Sequence, residues 1–400
     1  MSPGGALTHR GRFALALGAV TYFVARAFGS KPLYPVAVGL VLAVLLAWLW
    51  VRLANGPMRL HRTLGRGEHV EGDDVPIELR LERAGQLRPG SVVLVERIAK
   101  LGRRRTPLDR GQARYVLEQL PRGRYTFEET RAVLEDPFAL ERVEVELSAG
   151  AGFVVYPRLV ELERLFSEAG SHAQDGRRLL LRRPSGFDFH SVREHEQGES
   201  LRRVHWRSTA KRGRLMVKEL EDSPSDEVAV LLDGDATTVV GDSFDVQVRA
   251  AGSILQAHSR RGRRAVLVVN SARRETQRVH SYDGDWRQAL EVLAAAEPTG
   301  RTPLAALLAD EGSAAAGALE LIVVTAALPP RLVDGLLDRA LSRRAVSLVF
   351  VDTASFNGAV PRPEPALLRL DAVGVPVAVV RRGDDLAVKL APDGIAGVRG

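Results

Sequence analysis

The stretch Ser191–Glu219, SVREHEQGESLRRVHWRSTAKRGRLMVKE, decides how the chain is divided. Gly198 permits a turn. Ser200 stands where an N-cap hydroxyl accepts from a backbone N–H of the next turn. Leu201, Val204 and Ser208 recur at helical spacing with Arg202, Arg203 and Arg207 beside them. Lys211 and Arg212 occupy the last turn, where cations suit the negative helix end, and Gly213 is placed as the residue just past it. Leu215–Leu220 reads as a short strand. The block is therefore a turn, a short basic helix carrying Trp206, and a strand.

Downstream, the periodicity changes. Glu227–Leu232, Ala265–Val269, Leu321–Thr325, Val346–Val351 and Val375–Val380 are short apolar runs, and helical patterns at Phe244–Ser259, Trp286–Ala296, Pro303–Ala309 and Arg331–Arg343 separate them. Strands that are apolar on both faces and alternate with helices predict a doubly wound, mostly parallel sheet.

Upstream, Val75, Ile77, Leu79 and Leu81 alternate with polar residues, as a half-buried strand requires. Val92–Val95, Tyr115–Leu117, Tyr125–Phe127 and Val143–Leu147 follow as further strands, punctuated by Arg122-Gly123 and Asp136-Pro137. They predict an all-β, sandwich-like module. Leu159–Phe166 has the pattern of a short helix. At the start, Phe13–Ala25 and Leu33–Leu53 are apolar, and the second is long enough to span a bilayer. Phe28–Pro32 joins them, so the pair reads as a transmembrane α-hairpin. Arg10 and Arg12 before it, and Arg52, Arg59, Arg62 and Arg66 after it, outweigh Arg26 and Lys31 between. The positive-inside bias puts both ends, and the bulk of the chain, in the cytoplasm. The rival reading takes Ala25-Arg26-Ala27 as a signal-peptide cleavage site, and then Leu33–Leu53 still stops transfer.

The 400 residues thus divide into a transmembrane hairpin at 1–57, a β-sandwich-like module at 58–157, a signature linker at 158–222 and an α/β domain at 223–400. The chain has no cysteine, which excludes disulfides and thiolate chemistry. Its formal charge of +7 fits binding to nucleic acid, anionic lipid or an acidic partner, and for a body beside a membrane it fits a face turned toward acidic headgroups.

Gly186, Ser191, Val192, Arg193, Glu194, Gly198, Arg203, Trp206, Ala210, Gly213 and Leu215 form a pattern that resembles the domain of unknown function 58 family. Arg122–Tyr125, Asp136-Pro137-Phe138 and Tyr156-Pro157-Arg158 agree with that family's upstream strands. The resemblance implies a von Willebrand A-like α/β domain at the carboxyl end. It also implies, as partners, a MoxR-type AAA+ ATPase and a transglutaminase-like membrane protein. Within the central block, Ser191, Arg193, Glu194, Gly198, Arg203, Trp206, Arg207 and Gly213 are expected to be structural.

Candidate chemistry centres on Asp233-Gly234-Asp235-Ala236-Thr237, at the end of the first strand of the sheet, where open α/β sheets bind ligands. The resemblance implies a divalent-cation loop there. Asp233 matches its leading aspartate, Asp235 and Thr237 stand for its two serines, and Thr302 (or Thr299) stands for the distant hydroxyl. The late aspartate is missing, because Ala326-Ala327 follows Thr325. Such oxygen ligands suit Mg²⁺ or Mn²⁺. The competing reading is a strand-end turn whose aspartates cap backbone N–H groups. His190, His195 and His205 with Glu194 and Glu196 make a second cluster. Three residues separate His190 from Glu194, where the inverted zinc motif has two. The near balance of charge across the central block favours internal ion pairs over a nucleic-acid surface.

The expected function is a membrane-integral scaffold or adaptor of the bacterial inner membrane, not an enzyme. One alternative is a membrane-apposed nucleic-acid or anionic-lipid binder. Another is a metal-dependent hydrolase with Asp283 or Asp285 brought near Asp233.

Overall fold

The computed structural model describes residues 5–65, 67–147, 150, 152–169, 189–194, 209–211, 213–220, 227–310, 312–342, 344–359 and 364–392. By internal contact the chain divides into two compact units, Met1–Tyr156 and Pro157–Gly400, where the sequence pattern suggests four parts.

In the first unit, β1 (Gly5–Leu7) leads into α1 (His9–Phe28) and α2 (Leu33–Ala54). The Thr8 hydroxyl caps α1 by accepting from Gly11 N–H at 3.1 Å, and Gly29 ends it at φ 65°. Both helices are long and apolar enough to cross a membrane.

The β module follows as β2 (Met58–Leu64), β3 (His69–Val70), β4 (Val75–Arg83), β5 (Ser91–Ile98), β6 (Gly102–Pro107), β7 (Gln112–Leu117), β8 (Gly123–Glu135), β9 (Glu141–Leu147) and β10 (Gly152–Tyr156). One sheet has the order β2-β4-β7. The larger one runs β1-β9-β8-β10-β3, with β5 on β8 and β6 on β5. The alternation in β4 is realised, with Val75, Ile77, Leu79 and Leu81 turned inward against Leu94, Tyr125, Phe127 and Leu134. Val51 of α2 belongs to the same core, which is why the helices and the β module form one unit.

A buried ion pair ties the two sheets together. Arg62 on β2 donates to Glu96 of β5 at 2.5 Å and to the Thr130 hydroxyl of β8 at 3.3 Å. Tyr115 on β7 donates to the other Glu96 oxygen at 2.8 Å. The Arg62 guanidinium also lies 3.6 Å from the centre of the Phe127 ring, a cation–π contact.

The second unit contains α3 (Phe166–Ala169), the pair β11 (Phe189–Glu194) and β12 (Met216–Leu220), then β13 (Val228–Asp233), α4 (Ser243–Arg260), β14 (Ala265–Asn270), β15 (Glu275–Val279), α5 (Tyr282–Ala295), α6 (Leu304–Ala309), α7 (Ala314–Gly317), β16 (Glu320–Thr325), α8 (Pro330–Leu341), β17 (Ala345–Val351), α9 (Pro365–Ala372), β18 (Val377–Val380) and α10 (Leu386–Lys389). The sheet order is β15-β14-β13-β16-β17-β18. All neighbours are parallel except β15, which pairs antiparallel with β14. Every residue of β13 and β14 is buried. One apolar cluster packs a sheet face under α4 and α5, and another packs the opposite face under α6, α8 and α9.

The expected helix at Leu159–Phe166 is not formed, and helix begins only at Phe166. Residues 157–165 instead run as a strap against α4. Val160 N–H donates to the Ser253 hydroxyl at 3.0 Å, and Leu159 approaches Gly252 so closely that a Cβ there would lie 2.6 Å from its Cδ2. Arg260 pairs with Glu161 at 2.5 Å, and Arg261 pairs with Glu168. Burial of Leu165 and Phe166 in the core outweighs the local helical preference.

His258 of α4 is fully buried, and Arg263 Nη1 lies 3.2 Å from its Nδ1. Burial, then the charges of Arg263 and Arg261, push its pKa down to about 3. The folded state therefore holds a neutral ring, while the unfolded chain takes up a proton near the ordinary value of 6.5. The sign follows: below that value the unfolded state binds more protons, so stability falls as pH falls, by about 1.4 kcal/mol per pH unit. His258→Gln keeps an acceptor for Arg263 and cannot titrate. The pH slope of its unfolding free energy between pH 4 and 6.5, from denaturant titrations, is expected to be shallower than that of the parent by about this amount.

Candidate functional site

The strand order reverses between β13 and β16, and the crevice at their carboxyl ends is where such sheets bind ligands. Four segments converge there. Gly300 N–H donates to Gly234 O at 2.7 Å. A Cβ on Gly234 would stand 2.4 Å from Asn270 O, and one on Gly300 2.2 Å from the same oxygen. Only glycine lets these backbones approach so closely.

Asp233 ends β13 and is 6% exposed. Its Oδ1 accepts from Asn270 Nδ2 and from Asp235 N–H, each at 3.2 Å, and its Oδ2 lies 2.7 Å from the Thr325 hydroxyl. Asn270 also donates to Thr302 O at 2.9 Å. Burial raises the Asp233 pKa, and the three hydrogen bonds oppose that rise. Asp235 is turned the other way. Its Oδ1 accepts from Thr237 N–H at 2.8 Å and from the Thr237 hydroxyl at 2.7 Å, which caps a single 3₁₀ turn at Ala236–Thr238. The rim residues Ala236 and Thr237 are exposed.

Asp233, Asp235, Thr237 and Thr302 thus share one end of the sheet, but Thr302 contributes a main-chain carbonyl to Asn270. Thr299 lies on the same loop, where its hydroxyl accepts from Ala272 N–H at 3.2 Å. This donor set does not fit Mg²⁺ or Mn²⁺, which require nearly complete octahedral oxygen ligation. Both Asp233 oxygens are occupied from within the chain, and Asp235 turns its Oδ1 to its own 3₁₀ turn. The place of the late aspartate is held by Ala326, which has no side-chain oxygen. Among the described residues no group of three or more histidines and carboxylates is arranged to hold a metal.

Asp283 and Asp285 do not approach Asp233. β15 runs antiparallel to β14, so that Val279 pairs with Ala265, and α5 therefore starts at the amino ends of the parallel strands. Asp285 there accepts from His280 N–H at 2.8 Å and from Ser281 N–H at 3.3 Å. A hydrolytic base near Asp233 is not supplied from that side.

Asn270 and Thr325, the partners of Asp233, are absent from the sequence-based candidates. The available signal was a polar residue closing each of the apolar runs AVLVVN and ELIVVT, at the same edge of the sheet.

In the central block, Ser191 faces Glu219, Arg193 faces Val217 and Glu194 faces Met216 across β11 and β12, so its two ends pair with each other. Gly213 adopts φ 67°, and its N–H donates to Thr209 O at 2.9 Å, as expected just past a helix end. Gly198, Arg203, Trp206, Arg207, His195 and His205 lie outside the described residues.

Comparison with known proteins gives one curated relative, an uncharacterized protein, YeaD, of Bacillus subtilis (strain 168), 25% identical over 221 residues. The match covers 54% of this chain and 53% of that protein, so the chain spans about half the length of the relative it matches. Among solved structures, Cwp6 from Clostridium difficile aligns over 84% of this chain and 47% of its own, with a TM-score of 0.15 and 10% identity. A family two carbohydrate esterase from Cellvibrio japonicus aligns over 86% and 95%, with a TM-score of 0.16 and 11% identity. Scores that low carry no argument about fold. The family model described as protein of unknown function DUF58 matches residues 191–355, from the paired ends of the central block through β17. Over that segment the chain matches the DUF58 family.

Proposed function

We propose that the chain is a membrane-anchored docking protein whose α/β unit is a von Willebrand A-like module that holds a protein partner at the carboxyl ends of its strands. The observation that carries this reading is the state of Asp233. It sits where a ligand-binding carboxylate would sit, yet it is fully engaged by Asn270, Thr325 and Asp235. A carboxylate spent in this way fixes the loops around it, and the exposed Ala236–Thr237 rim is left as a preformed surface. The sheet order, with one antiparallel edge strand, supports the von Willebrand A-like assignment.

The partner is a MoxR-type AAA+ ATPase, with a transglutaminase-like membrane protein as a second component, and docking is direct, without a bridging cation. α1 and α2 anchor the assembly, and the arginines flanking them favour a cytoplasmic body. Protease added outside intact spheroplasts then leaves the chain beyond Met58 uncut.

The docking test titrates the detergent-solubilised full chain with the MoxR-type ATPase of the same genome by calorimetry. Ala236→Arg, on the exposed rim, is expected to weaken binding at least about tenfold, a difference of about 1.4 kcal/mol. Chelation with EDTA is expected to leave it unchanged. An Ala236→Arg chain that binds as tightly as the parent, or a parent that does not bind, ends the docking proposal. Loss of binding in EDTA alone restores the cation.

A further inference from the structure

We infer that the β8–β9 turn, through Phe138, is a third membrane contact of the first unit, seated at the headgroup level beside the roots of α1 and α2. The inference rests on the reading of those helices as membrane spans.

The turn is built to hold its shape. Asp136, 2% exposed, accepts from the backbone N–H groups of Phe138 at 2.8 Å and of Leu140 and Glu141 at 2.7 Å each. Ala139 is held at φ 54°, a conformation that costs a non-glycine residue energy and persists only where the surroundings dictate it. Yet the side chain that this rigid turn presents is apolar. Phe138 is 75% exposed, against 40% for Leu101 and Val116, the other exposed large hydrophobics of the β module among the described residues.

Its position names the occupant. The Thr8 hydroxyl donates to Ala139 O at 2.6 Å, and Thr8 N–H donates to Leu140 O at 3.0 Å. A Cβ on Gly11 would collide with Leu140 O, 2.1 Å away. The first turn of α1 is thus fastened to the same five-residue turn that carries Phe138. The root of α2 is fastened alongside. Arg83 donates to Ala54 O at 2.5 Å and to Leu87 O at 2.7 Å, and Trp50 Nε1 donates to Arg88 O at 3.0 Å. A Cβ on Gly90, in that same loop, would lie 2.5 Å from Pro137 Cα. Wherever the helices enter the bilayer, this end of the β module enters the interface with them. Trp48 and Trp50 mark that level, as interfacial aromatics do. Arg10, Arg12 and Arg88 are exposed at the same end, and they complement anionic headgroups. An exposed phenylalanine there reaches the boundary between headgroups and acyl chains, where interfacial side chains sit about 5–10 Å deep.

The chain has no cysteine, so one introduced cysteine gives a unique labelling site. The test places a polarity-sensitive nitrobenzoxadiazole label on the full chain at Phe138→Cys, at Leu42→Cys in the middle of α2, and at Leu101→Cys. Leu101 lies beyond the far end of β5, about 25 Å from the β8–β9 turn by strand rise. Each labelled chain is reconstituted in phosphatidylcholine–phosphatidylglycerol vesicles containing lipids spin-labelled at the headgroup or deep in the chain. The Phe138 label is expected to emit to the blue of the Leu101 label and to be quenched most by headgroup spin labels. The Leu42 label is expected to be quenched most by deep ones. A Phe138 label that matches Leu101, while Leu42 is quenched, overturns the third contact and leaves the spans standing. An unquenched Leu42 label overturns the spans and the contact together.

Discussion

Replacing Glu96 with alanine is expected to cost the β module about 3–5 kcal/mol, because it strands Arg62 as a buried charge. The side chains of Arg62 and Glu96 are 5% and 0% exposed. Glu96 is also the acceptor for the Tyr115 phenol, whose pKa is raised by burial first and by the Glu96 charge second. Tyr115 therefore remains a neutral donor, and Tyr115→Phe, which removes one hydrogen bond and leaves the ion pair, should cost only about 1–2 kcal/mol. Removing both charges with Arg62→Met and Glu96→Leu should recover much of the single-variant loss, since apolar replacement of a buried pair is often neutral. Hydrogen exchange at the amides of β2, β5 and β7 reads this unit separately from the other. A Glu96→Ala chain protected there as well as the parent would remove the ion pair as the link between the sheets.

That link was invisible in the sequence for a physical reason. Arg62 falls in phase with Leu60 and Leu64, and Glu96 with Leu94 and Ile98, so a period of two places both on inward faces, but it does not report that the two strands lie in opposite sheets where the charges meet. The alternation of β4 was legible because its apolar residues carry the burial. β6 was not, because only Thr106 of GRRRTP faces inward and the strand is held by backbone pairing to β5. β15 is an edge strand with the same weakness. The strands β13 and β14, buried throughout, and β16, buried from Leu321 onward, were readable because a parallel sheet covered on both faces admits almost only apolar residues. The strap at 157–165 shows the limit of local pattern. Its leucines have helical spacing, yet Leu159 packs on Gly252, Val160 N–H donates to Ser253, and Leu165 enters the core beneath α4, all far along the chain. The candidate site divides in the same way. Asp233 could be placed at a strand end, but Asn270 and Thr325 are joined to it only by the register of three parallel strands.

Those two partners give the second large expectation. Asp233→Ala should destabilise the α/β unit by roughly 3 kcal/mol, because the Asp235 N–H and one donor of Asn270 lose their acceptor and the Thr325 hydroxyl is left with Ala327 O alone. Asp233→Asn keeps one acceptor oxygen and turns an amide toward a donor, so its cost at neutral pH should be smaller. The two variants also differ in pH dependence. The Asp233 carboxyl has a folded-state pKa above its ordinary 3.8, with burial as the first cause. Its contribution is full below the ordinary value and is lost as pH rises through the folded one. The Asn variant does not titrate, so its deficit relative to the parent should narrow as pH rises from 3.8. A carboxylate that ligates a cation behaves in the opposite way. It is held ionised, and ligand present above its Kd adds stability that alanine abolishes. Hydrogen exchange at the β13 amides, with and without Mg²⁺, separates the two. Equal protection of the parent in both conditions, with a loss in Asp233→Ala that ignores Mg²⁺, makes Asp233 the fastener of the rim that Ala236 and Thr237 present. Protection that rises with Mg²⁺ and vanishes in Asp233→Ala makes it a ligand, and direct docking gives way to docking through a cation.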